Sequence, residues 1–573
     1  MITRGRGRGE IGFLLFVASF LYYGLRAAEG PAWLDGSEFA ATSHLLAVPH
    51  PTGSPVYLVL GKLVQQLLPI GPPAVRLAWL SALFAALAVE RLFAITAALC
   101  AWAGATSALP AALGAGLFAL TPGMLAIGHR AELYSLQVWL ALAVVRLALQ
   151  VRETGDPGRT RLAGLGIGLA AATHPYLTLL FVPGALLIAG RSILRPRILL
   201  ATLGFVLLAG ASYGILALRG RAGGIIGWGD ASTWPGWIDV LLARAFQKSV
   251  TAPMSGAGLA DLLLFIVNQF GAVGGLLLPL VAGCGLIVLA RRMPVVALGI
   301  ASLVVLGFAS RGLWRFDQST PDTAGYFGLA TAMISALAAV ALARLETVAQ
   351  LPRPAAPAIA IAAAAGLVFS IGLPARRDLE GGTGRELGLR VLAPLEPDAL
   401  VVLDDFNLLF MTWYLQAVEG VRPDVAVVFG GFLSQPWYQR RLAEHAPAAA
   451  QRLARLPREL AGPLYVDYGL GAGKLPAHIR DRLRPAGLLL RAGAAPAPDF
   501  PAADWLPGRQ DLDVQTRRAL IWLHFRQACF AFERHDAAGW KWHADAIEAL
   551  QPGIGLGQAL ARGEQRVCEG GDT

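Results

Sequence analysis

The apolar residues of this chain are concentrated in its first two thirds, and this uneven distribution restricts the fold more than any motif. Residues 1–375 contain 25 Lys and Arg and 14 Asp and Glu, a charged fraction of 10%, whereas residues 376–573 contain 23 and 24, or 24%. A soluble domain has about 25% charged residues. The first part therefore has the composition of a polytopic membrane protein and the second that of a soluble domain. A wholly soluble, disordered or collagen-like chain is excluded.

Apolar segments in the first part predict about 11 transmembrane helices, within a membrane domain spanning residues 1–375. A straight span needs about 20 apolar residues, and several segments are shorter than that. The first segment follows an Arg-rich start, but we interpret it as an uncleaved span because further segments come after it. The segments are 11–27, 76–99, 107–122, 133–150, 162–173, 175–190, 198–218, 262–290, 295–310, 325–343 and 355–373.

The positions of the basic residues predict the orientation in the membrane. With a cytoplasmic N-terminus, 13 of the 25 basic residues of the membrane part fall in loops on that side, beside the ends of the spans. This is what the positive-inside rule requires. An odd number of spans then leaves the tail on the periplasmic or lumenal side of a bacterial inner membrane or its equivalent. The basic charge thus records orientation, and we predict no nucleic-acid partner.

The tail after residue 375 predicts a small α/β domain followed by helices. Short apolar runs at 400–403, 425–429, 464–467 and 487–491 alternate with helical patterns at 406–418 and 436–446. Such alternation indicates a largely parallel sheet over residues 376–510. In residues 511–573, helical patterns at 515–534 and 537–550 resemble one tetratricopeptide-type unit or an ordinary helical cap on the α/β domain. The four cysteines lack the spacing of a zinc or redox site, although a Cys529–Cys568 disulfide is compatible with an oxidising compartment.

Two carboxylates stand three residues apart directly after the first span. Asp35 and Glu38 are followed by a proline-rich segment that contains His50, and three prolines in seven residues cannot continue a helix. One interpretation is helix capping, with Asp35 as the N-cap residue and Glu38 completing a capping box. The other is chemical: one of the two acids acts as a general base or metal ligand at the outer membrane surface.

A second outer loop places Arg130, Glu132 and Tyr134 within five positions. Charges at the edge of an apolar span are costly unless they are paired, so they are often functional. The loop contains either an ordinary Arg130–Glu132 surface pair or a site in which Arg130 or His129 binds a phosphate and Glu132 orders its surroundings.

Further outer candidates are spread over the remaining loops. His174 precedes a proline, and Arg311 and Arg315 could clamp a lipid phosphate or bind head groups of membrane lipids without specificity. Trp228 and Trp234 fit an interfacial aromatic belt or the wall of a sugar pocket. No phosphate-binding loop with the G-x-x-x-x-G-K-[ST] pattern occurs, so the energy for a synthesis must come from an activated substrate.

Several of these motifs together resemble a known family. The sequence is similar to the protein O-mannosyltransferase-like family of polytopic membrane proteins, which belongs to the GT-C glycosyltransferase superfamily. The resemblance lies in Asp35–Phe39, His50–Pro55, Ser81–Leu83 and Arg130–Leu136, and in the tail in Trp413–Gln416, Glu419–Val425 and Trp437–Tyr438.

The resemblance implies a membrane transferase with its active site on the outer face. The donor would be a sugar, such as mannose, on polyprenyl or dolichyl phosphate, and the acceptor a hydroxyl of a protein, a glycan or a lipid. Asp35 would be the catalytic base, with Glu38 as the alternative because D-x-x-E replaces an adjacent Asp-Glu pair. His50, Arg130, Glu132, Tyr134, His174, Arg311 and Arg315 would bind substrate.

Transfer of this kind requires no cofactor and no metal ligand set, although a divalent cation is compatible with it. Direct attack on the anomeric carbon would invert its configuration. Two other classes stay open from the sequence: a transporter or flippase for lipid-linked sugars, and a non-catalytic membrane scaffold whose tail binds a partner. The clustering of acids at one membrane surface, without an internal repeat, favours the transferase.

Overall fold

The structure, a computed structural model, describes residues 6–105, 107–191, 196–246, 256–271, 275–312, 322–348, 382–471, 475–493 and 512–553. Helices make up nearly all of the membrane part. They are α1 (Arg6–Gly24), α2 (Asp35–Leu45), α3 (Pro55–Leu67), α4 (Pro73–Ala103), α5 (Leu109–Ala119), α6 (Pro122–Gly128), α7 (Tyr134–Thr154), α8 (Pro157–Ala171), α9 (Pro175–Ala189), α10 (Pro196–Gly210), α11 (Gly214–Arg219), α12 (Trp234–Leu241), α13 (Gly256–Gln269), α14 (Leu277–Arg292), α15 (Pro294–Gly312) and α16 (Asp322–Val348).

The described helices have the length and composition of a membrane bundle. Four helical stretches are long and apolar enough to cross a bilayer, or five if the bent pair α5 and α6 forms one span. They are Pro73–Ala103 (α4), Tyr134–Thr154 (α7), Leu199–Arg219 (α10 continued by α11) and Thr323–Thr347 (α16). Many Leu side chains of α9, α10, α14 and α15 are exposed, as expected where lipid replaces water. The chain is therefore an integral membrane protein, while the number of 11 spans remains a prediction.

Small residues allow the central helices to approach closely. A Cβ atom at Gly285 of α14 would lie 1.9 Å from the carbonyl oxygen of Leu337 in α16, so only glycine fits at this crossing. Membrane helices lack a hydrophobic drive to associate and depend on such close contacts instead. Helix α16 also packs against α4, α5 and α15, which places it at the centre of the bundle.

Three sequence predictions concern where individual spans begin and end. The single span predicted over 262–290 is wrong, because this region forms two helices, α13 and α14. Between them, Gly275 adopts a φ of +50°, a conformation that glycine permits and that interrupts a helix. The predicted span 355–373 lies outside the described residues. The break predicted at His174-Pro175 is present, with Pro175 in the first turn of α9.

The tail contains a five-stranded sheet with β1 (Leu400–Leu403), β2 (Ala426–Phe429), β3 (Leu464–Val466), β4 (Leu483–Ala486) and β5 (Leu489–Ala492) in the order β2-β1-β3-β5-β4. Strand β1 is buried and pairs in parallel with β2 and β3, whereas β5 pairs antiparallel with β3 and β4. The predicted largely parallel sheet is thus a mixed one. The last two strands are close in sequence, so they form a hairpin without a crossover helix.

Helices flank this sheet and extend the tail. They are α17 (Thr383–Leu392), α18 (Phe406–Glu419), α19 (Pro436–His445), α20 (Pro447–Arg455), α21 (Tyr468–Gly471), α22 (Ala477–Arg480), α23 (Val514–Glu533) and α24 (Ala537–Leu550). Helices α23 and α24 pack on each other and meet at a turn near His535, where the sequence predicted it. Cys529 in α23 is disulfide-bonded, and Cys568 lies outside the described residues.

The tail packs directly on the first outer segment of the membrane part. Helix α18 lies against α2, and the Ser37 hydroxyl contacts the Met411 sulfur at 3.8 Å. The tail and the Asp35 segment therefore lie on the same side of the membrane. The domain boundaries at about 375 and 510 fall outside the described residues and remain predictions, as does the identity of the side.

Candidate functional site

Asp35, Glu38 and His50 form one cluster at the junction of the membrane part and the tail. The His50 ring Nδ1 lies 2.5 Å from Glu38 Oε2, and the His50 backbone N–H donates to Glu38 Oε1 at 2.8 Å. The His50 Nε2 atom lies 3.6 Å from Asp35 Oδ2. The Glu38 side chain is fully buried, whereas those of Asp35 and His50 are 20% exposed. Asp35 is thus the carboxylate that a substrate can reach, and Glu38 holds the imidazole.

The local backbone explains why these side chains converge. Asp35 and Glu38 both lie in the first turn of α2, and Leu34 before it has a φ of +58°, which L residues rarely adopt. A Cβ atom at Gly36 would lie 2.7 Å from the Ala32 Cβ, so the chain turns too tightly there for a larger residue. The capping interpretation is wrong: Leu34 occupies the N-cap position, and no side chain caps the helix.

The loop that contains Arg130 and Glu132 packs against the segment before Asp35. The Arg130 Nε lies 3.5 Å from Glu132 Oε1, and both side chains are fully buried. The Arg130 Nη2 group donates to the carbonyl of Trp33, and the Ser81 hydroxyl hydrogen-bonds the backbone of Glu132. The predicted pair exists, but it is not on the surface. Since Arg130 is enclosed, it orients the segment before Asp35, and its predicted contact with a phosphate does not fit this structure.

The Asp35 cluster also has the composition of a metal site. One ligand atom from each of Asp35, Glu38 and His50 lies within 4.8 Å of the others. However, Glu38 and the Nδ1 atom of His50 already engage each other. Only two ligands, His50 Nε2 and the Asp35 carboxylate, would then face an ion directly. Catalytic zinc sites usually have three protein ligands. Glu38 would act as the carboxylate that orients a ligating histidine.

A second group of predicted residues, Tyr134 and His174, lies beside Tyr326, which lines an apolar pocket inside the bundle. The rings of Tyr134 and His174 lie 5.6 Å and 5.4 Å from that of Tyr326. The pocket below them lies between α7, α9, α15 and α16 and is lined by residues that include Gln137, Leu177, Phe181, Leu303, Tyr326 and Leu329. Aromatic and imidazole groups thus lie beside an apolar pocket, which Tyr326 itself lines.

The two groups of residues are neighbours. The Ser54 hydroxyl donates to the carbonyl of Thr173 at 2.8 Å, which joins the His50 loop to the turn that contains His174. The Tyr176 hydroxyl donates to the carbonyl of Ser310 at 2.7 Å, so the backbone at Ser310, which precedes Arg311, lies beside this turn. The side chain of Arg311 and the whole of Arg315 lie outside what the structure describes, so the roles of these two residues remain predictions.

Trp228 connects the cluster to the tail, and its surroundings differ from those expected. It is only 4% exposed, with its ring 6.5 Å from that of His50 and 5.8 Å from that of Phe406 at the start of α18. The predicted aromatic belt therefore does not include Trp228, although Trp234 is 73% exposed and fits that role. The residues that contact Trp228 are about 180 positions away in sequence, so no local pattern could have identified them.

Sequence reasoning also missed Thr516, at the start of α23. The Trp33 indole Nε1–H donates to the Thr516 hydroxyl at 2.7 Å, and both residues are buried. The D-x-x-T spacing of Asp513 and Thr516 is a helix-start signal, but it says nothing about the partner. The site thus includes residues from both ends of the chain.

Comparison with known proteins agrees with the motifs. Residues 35–192 match the model of the protein O-mannosyl-transferase TMEM260 N-terminal domain, and residues 384–454 match TMEM260-associated domain 2. A relative from Mus musculus, protein O-mannosyl-transferase TMEM260, is 26% identical over 444 residues. This match covers 72% of this chain and 61% of the length of the mouse protein.

A solved structure shows the same fold at low sequence identity. The structure of ArnT from Cupriavidus metallidurans, bound to undecaprenyl phosphate, matches with a TM-score of 0.52 and 14% identity, covering 86% of this chain and 98% of that one. At this identity the match shows the fold alone, which is of the GT-C type. The chain therefore matches two TMEM260 domain models and has a fold of the GT-C type, which confirms its resemblance to the protein O-mannosyltransferase-like family.

Proposed function

We propose that this chain is a membrane glycosyltransferase that moves a sugar, with mannose as the first to test, from a polyprenyl- or dolichyl-phosphate donor to a hydroxyl acceptor. The reaction takes place at the outer face of the membrane. The observation that carries the proposal is the Asp35 cluster: an accessible carboxylate beside a histidine that a fully buried glutamate holds in place. A scaffold would have no need for this arrangement between its membrane part and its tail.

Asp35 acts as the general base. It accepts the proton of the acceptor hydroxyl as that oxygen forms its bond to the anomeric carbon of the sugar. The bond between the anomeric carbon and the phosphate oxygen breaks at the same time, and its electron pair leaves with the lipid phosphate. One direct displacement inverts the anomeric carbon. Glu38 is the positioning residue for His50, because the Glu38 carboxylate is fully buried and reaches no substrate.

The apolar pocket between α7, α9, α15 and α16 suits the lipid chain of the donor. Its walls are mainly aliphatic and aromatic, and it ends beside Tyr134, His174 and Tyr326. These groups can donate hydrogen bonds to a phosphate at the end of the lipid chain, and Arg311 and Arg315 are proposed as further ligands of that phosphate. Such donors stabilise the charge that develops on a departing phosphate. The undecaprenyl phosphate bound to ArnT, which has the same fold, supports this donor class.

The acceptor approaches between the Asp35 cluster and the tail. Trp228 and Phe406 form the wall on that side, and aromatic rings are suited to pack against sugars and peptides. A protein hydroxyl is the first acceptor to test, with a glycan or a lipid as the other choices. The disulfide bond at Cys529 supports an oxidising compartment for the tail, since such bonds are rare in the cytosol.

A transfer assay with the purified full chain in lipid nanodiscs tests the proposal. Radiolabelled mannose on undecaprenyl or dolichyl phosphate is offered with hydroxyl-containing peptides and glycans, and NMR determines the anomeric configuration of the product. We expect transfer with inversion, lost in Asp35→Asn. Asp239→Asn is the matched control, because Asp239 is an exposed acid of α12, paired with Arg244.

The same protein in liposomes distinguishes transfer from transport. If the lipid-linked sugar crossed the bilayer and no acceptor were glycosylated, the chain would be a flippase and the proposal would be wrong. A retained anomeric configuration would contradict the direct displacement but not the transferase class.

A further inference from the structure

A chain of buried hydrogen bonds joins the last described helical pair to the segment that carries Asp35. The Trp33 indole Nε1–H donates to the Thr516 hydroxyl at 2.7 Å, and that hydroxyl in turn donates to Asp513 Oδ2 at 2.9 Å. The Thr383 hydroxyl of α17 donates to the same carboxylate oxygen. Trp33, Thr516 and Asp513 are at most 2% exposed. Each polar group in this chain is therefore protected from competing water.

The other end of Trp33 is held by the membrane part. Its carbonyl accepts a hydrogen bond from the buried Arg130 guanidinium. Helix α17 also closes on its ring, since a Cβ atom at Gly384 would lie 3.0 Å from the Trp33 Nε1. Trp33 is thus fixed between two parts of the chain that are about 100 and 480 residues away.

The residue between Trp33 and Asp35 makes this fixation important. Leu34 has a φ of +58° and a ψ of −138°, outside the regions that L residues favour. A backbone in such a conformation persists only where its surroundings hold it. The hydrogen bond from Trp33 to Thr516 is one of the contacts that hold the Leu34 backbone in place. The Leu34 conformation in turn sets the direction of the first turn of α2, which carries Asp35.

We infer that the N-terminus of α23 positions Asp35 through Trp33, so that Thr516 and Trp33 are positioning residues for the reaction. The C-terminal helical pair is then part of the active-site support, and not only a repeat-like module or a cap on the sheet. This inference rests on the proposed function for its kinetic effects. Its structural content, an ordered segment 33–38 that depends on Thr516, can be measured without any activity.

Two substitutions of similar size test the hydroxyl itself. Thr516→Val removes the group that accepts from Trp33, whereas Thr516→Ser keeps it. Because a lost hydrogen bond here displaces the base and not the substrate, we expect Thr516→Val to lower kcat about 5- to 15-fold with KM changed less than about 2-fold. Thr516→Ser should restore at least half of the rate. Thr160→Val is the matched control, since Thr160 is buried in α8 and its hydroxyl donates to the carbonyl of Asp156 at the start of the same helix.

Hydrogen–deuterium exchange supplies the readout that needs no activity. We expect faster exchange at the backbone amides of residues 34–39 in Thr516→Val, and unchanged exchange there in Thr516→Ser and in Thr160→Val. If the wild-type protein transferred no sugar but this difference appeared, the proposed function would fail and the positioning of segment 34–39 by Thr516 would stand. If wild-type transfer occurred and segment 34–39 exchanged equally in all variants, the positioning by Thr516 would be wrong.

A second substitution covers the case in which Thr516→Val does not fold. Trp33→Phe keeps the buried ring and removes the donor from the other end of the same bond. We expect Trp33→Phe alone to lower kcat about 5- to 15-fold and to speed exchange at residues 34–39, because it removes the same interaction. Where both variants fold, the double variant should lose no more than either single variant. Losses that multiply in the double variant, or a Thr516→Ser variant as slow as Thr516→Val, would overturn the inference.

Discussion

Replacing Glu38 by Gln should separate the role of Glu38 from that of Asp35. The Glu38 carboxylate is fully buried and accepts from both the backbone N–H and the ring of His50. A glutamine has the same shape, and its oxygen can still accept from the backbone. Its amide group, however, can only donate to the ring nitrogen. The imidazole must then carry its proton on Nε2, which points that N–H at Asp35 Oδ2, 3.6 Å away.

The size of the effect follows from these contacts. Glu38→Gln replaces two charge-assisted hydrogen bonds from His50 by neutral ones. Bonds to charged groups contribute about 1.5–3 kcal/mol and neutral ones about 0.5–1.5 kcal/mol, a difference of about 1 kcal/mol for each bond. We therefore expect the free energy of unfolding to fall by about 2 kcal/mol. We expect kcat to fall only about 10- to 100-fold, because Asp35 is still present although its oxygen now accepts a hydrogen bond. Asp35→Asn should lower kcat by about 10²- to 10⁴-fold, the usual contribution of a general base, with little change in stability.

The assay is sugar transfer at saturating donor, together with the thermal midpoint of each variant in the same nanodiscs. Glu153→Gln is the matched control, since Glu153 is exposed at the far end of α7. A Glu38→Gln protein as stable as the wild type would refute the buried contact with His50. A folded Glu38→Gln protein without activity, beside an Asp35→Asn protein that retains it, would make Glu38 the base.

Three further predictions concern the buried pair, the metal question and the tail. Arg130→Met leaves the carboxylate of Glu132 buried without its cation and should lower the free energy of unfolding by about 3–5 kcal/mol, measured by thermal unfolding; an unchanged midpoint would contradict the pairing. Chelation by EDTA should change the transfer rate less than about 2-fold, because two of the three candidate ligands, Glu38 and His50, already bond to each other. A loss of activity that Mn²⁺ or Mg²⁺ reverses would establish a metal site. Burial, and then the charge of His543, lower the pKa of His524 to about 3, and burial lowers the pKa of its neighbour His543 to about 4. The unfolded chain binds both protons below about pH 6.5 and the folded chain binds neither, so stability should fall by about 3 kcal/mol from pH 6.5 to 5. His524→Gln should halve this dependence, and an equally steep one would show that another group titrates.

The main organisation of the chain could be predicted from sequence because it depends on local properties. Composition separated the membrane part from the tail, since lipid and water select different side chains along the whole segment. The α/β alternation at 400–429 follows from short apolar runs, and the break before Pro175 follows from the geometry of proline. Asp35 and Glu38 were found because both lie in one turn of one helix.

The roles of those residues were decided by contacts between distant parts of the chain. Glu38 fitted a capping box by spacing, but Leu34 and not Asp35 is the N-cap residue, and the Glu38 carboxylate accepts hydrogen bonds from His50 instead. Arg130 and Glu132 are neighbours in sequence, so their pairing was predictable. Their complete burial depends on the packing of other segments around them.

Sequence alone therefore determined that this is a membrane protein with an acidic segment that resembles the protein O-mannosyltransferase-like family. Only the tertiary structure decided that Asp35 is more exposed than Glu38 and that the tail packs against the helix that carries both. The reason is physical: hydropathy and turn preferences act along neighbouring residues. In contrast, the bond from Trp33 to Thr516 joins groups 483 positions apart and exists only once the whole chain has folded.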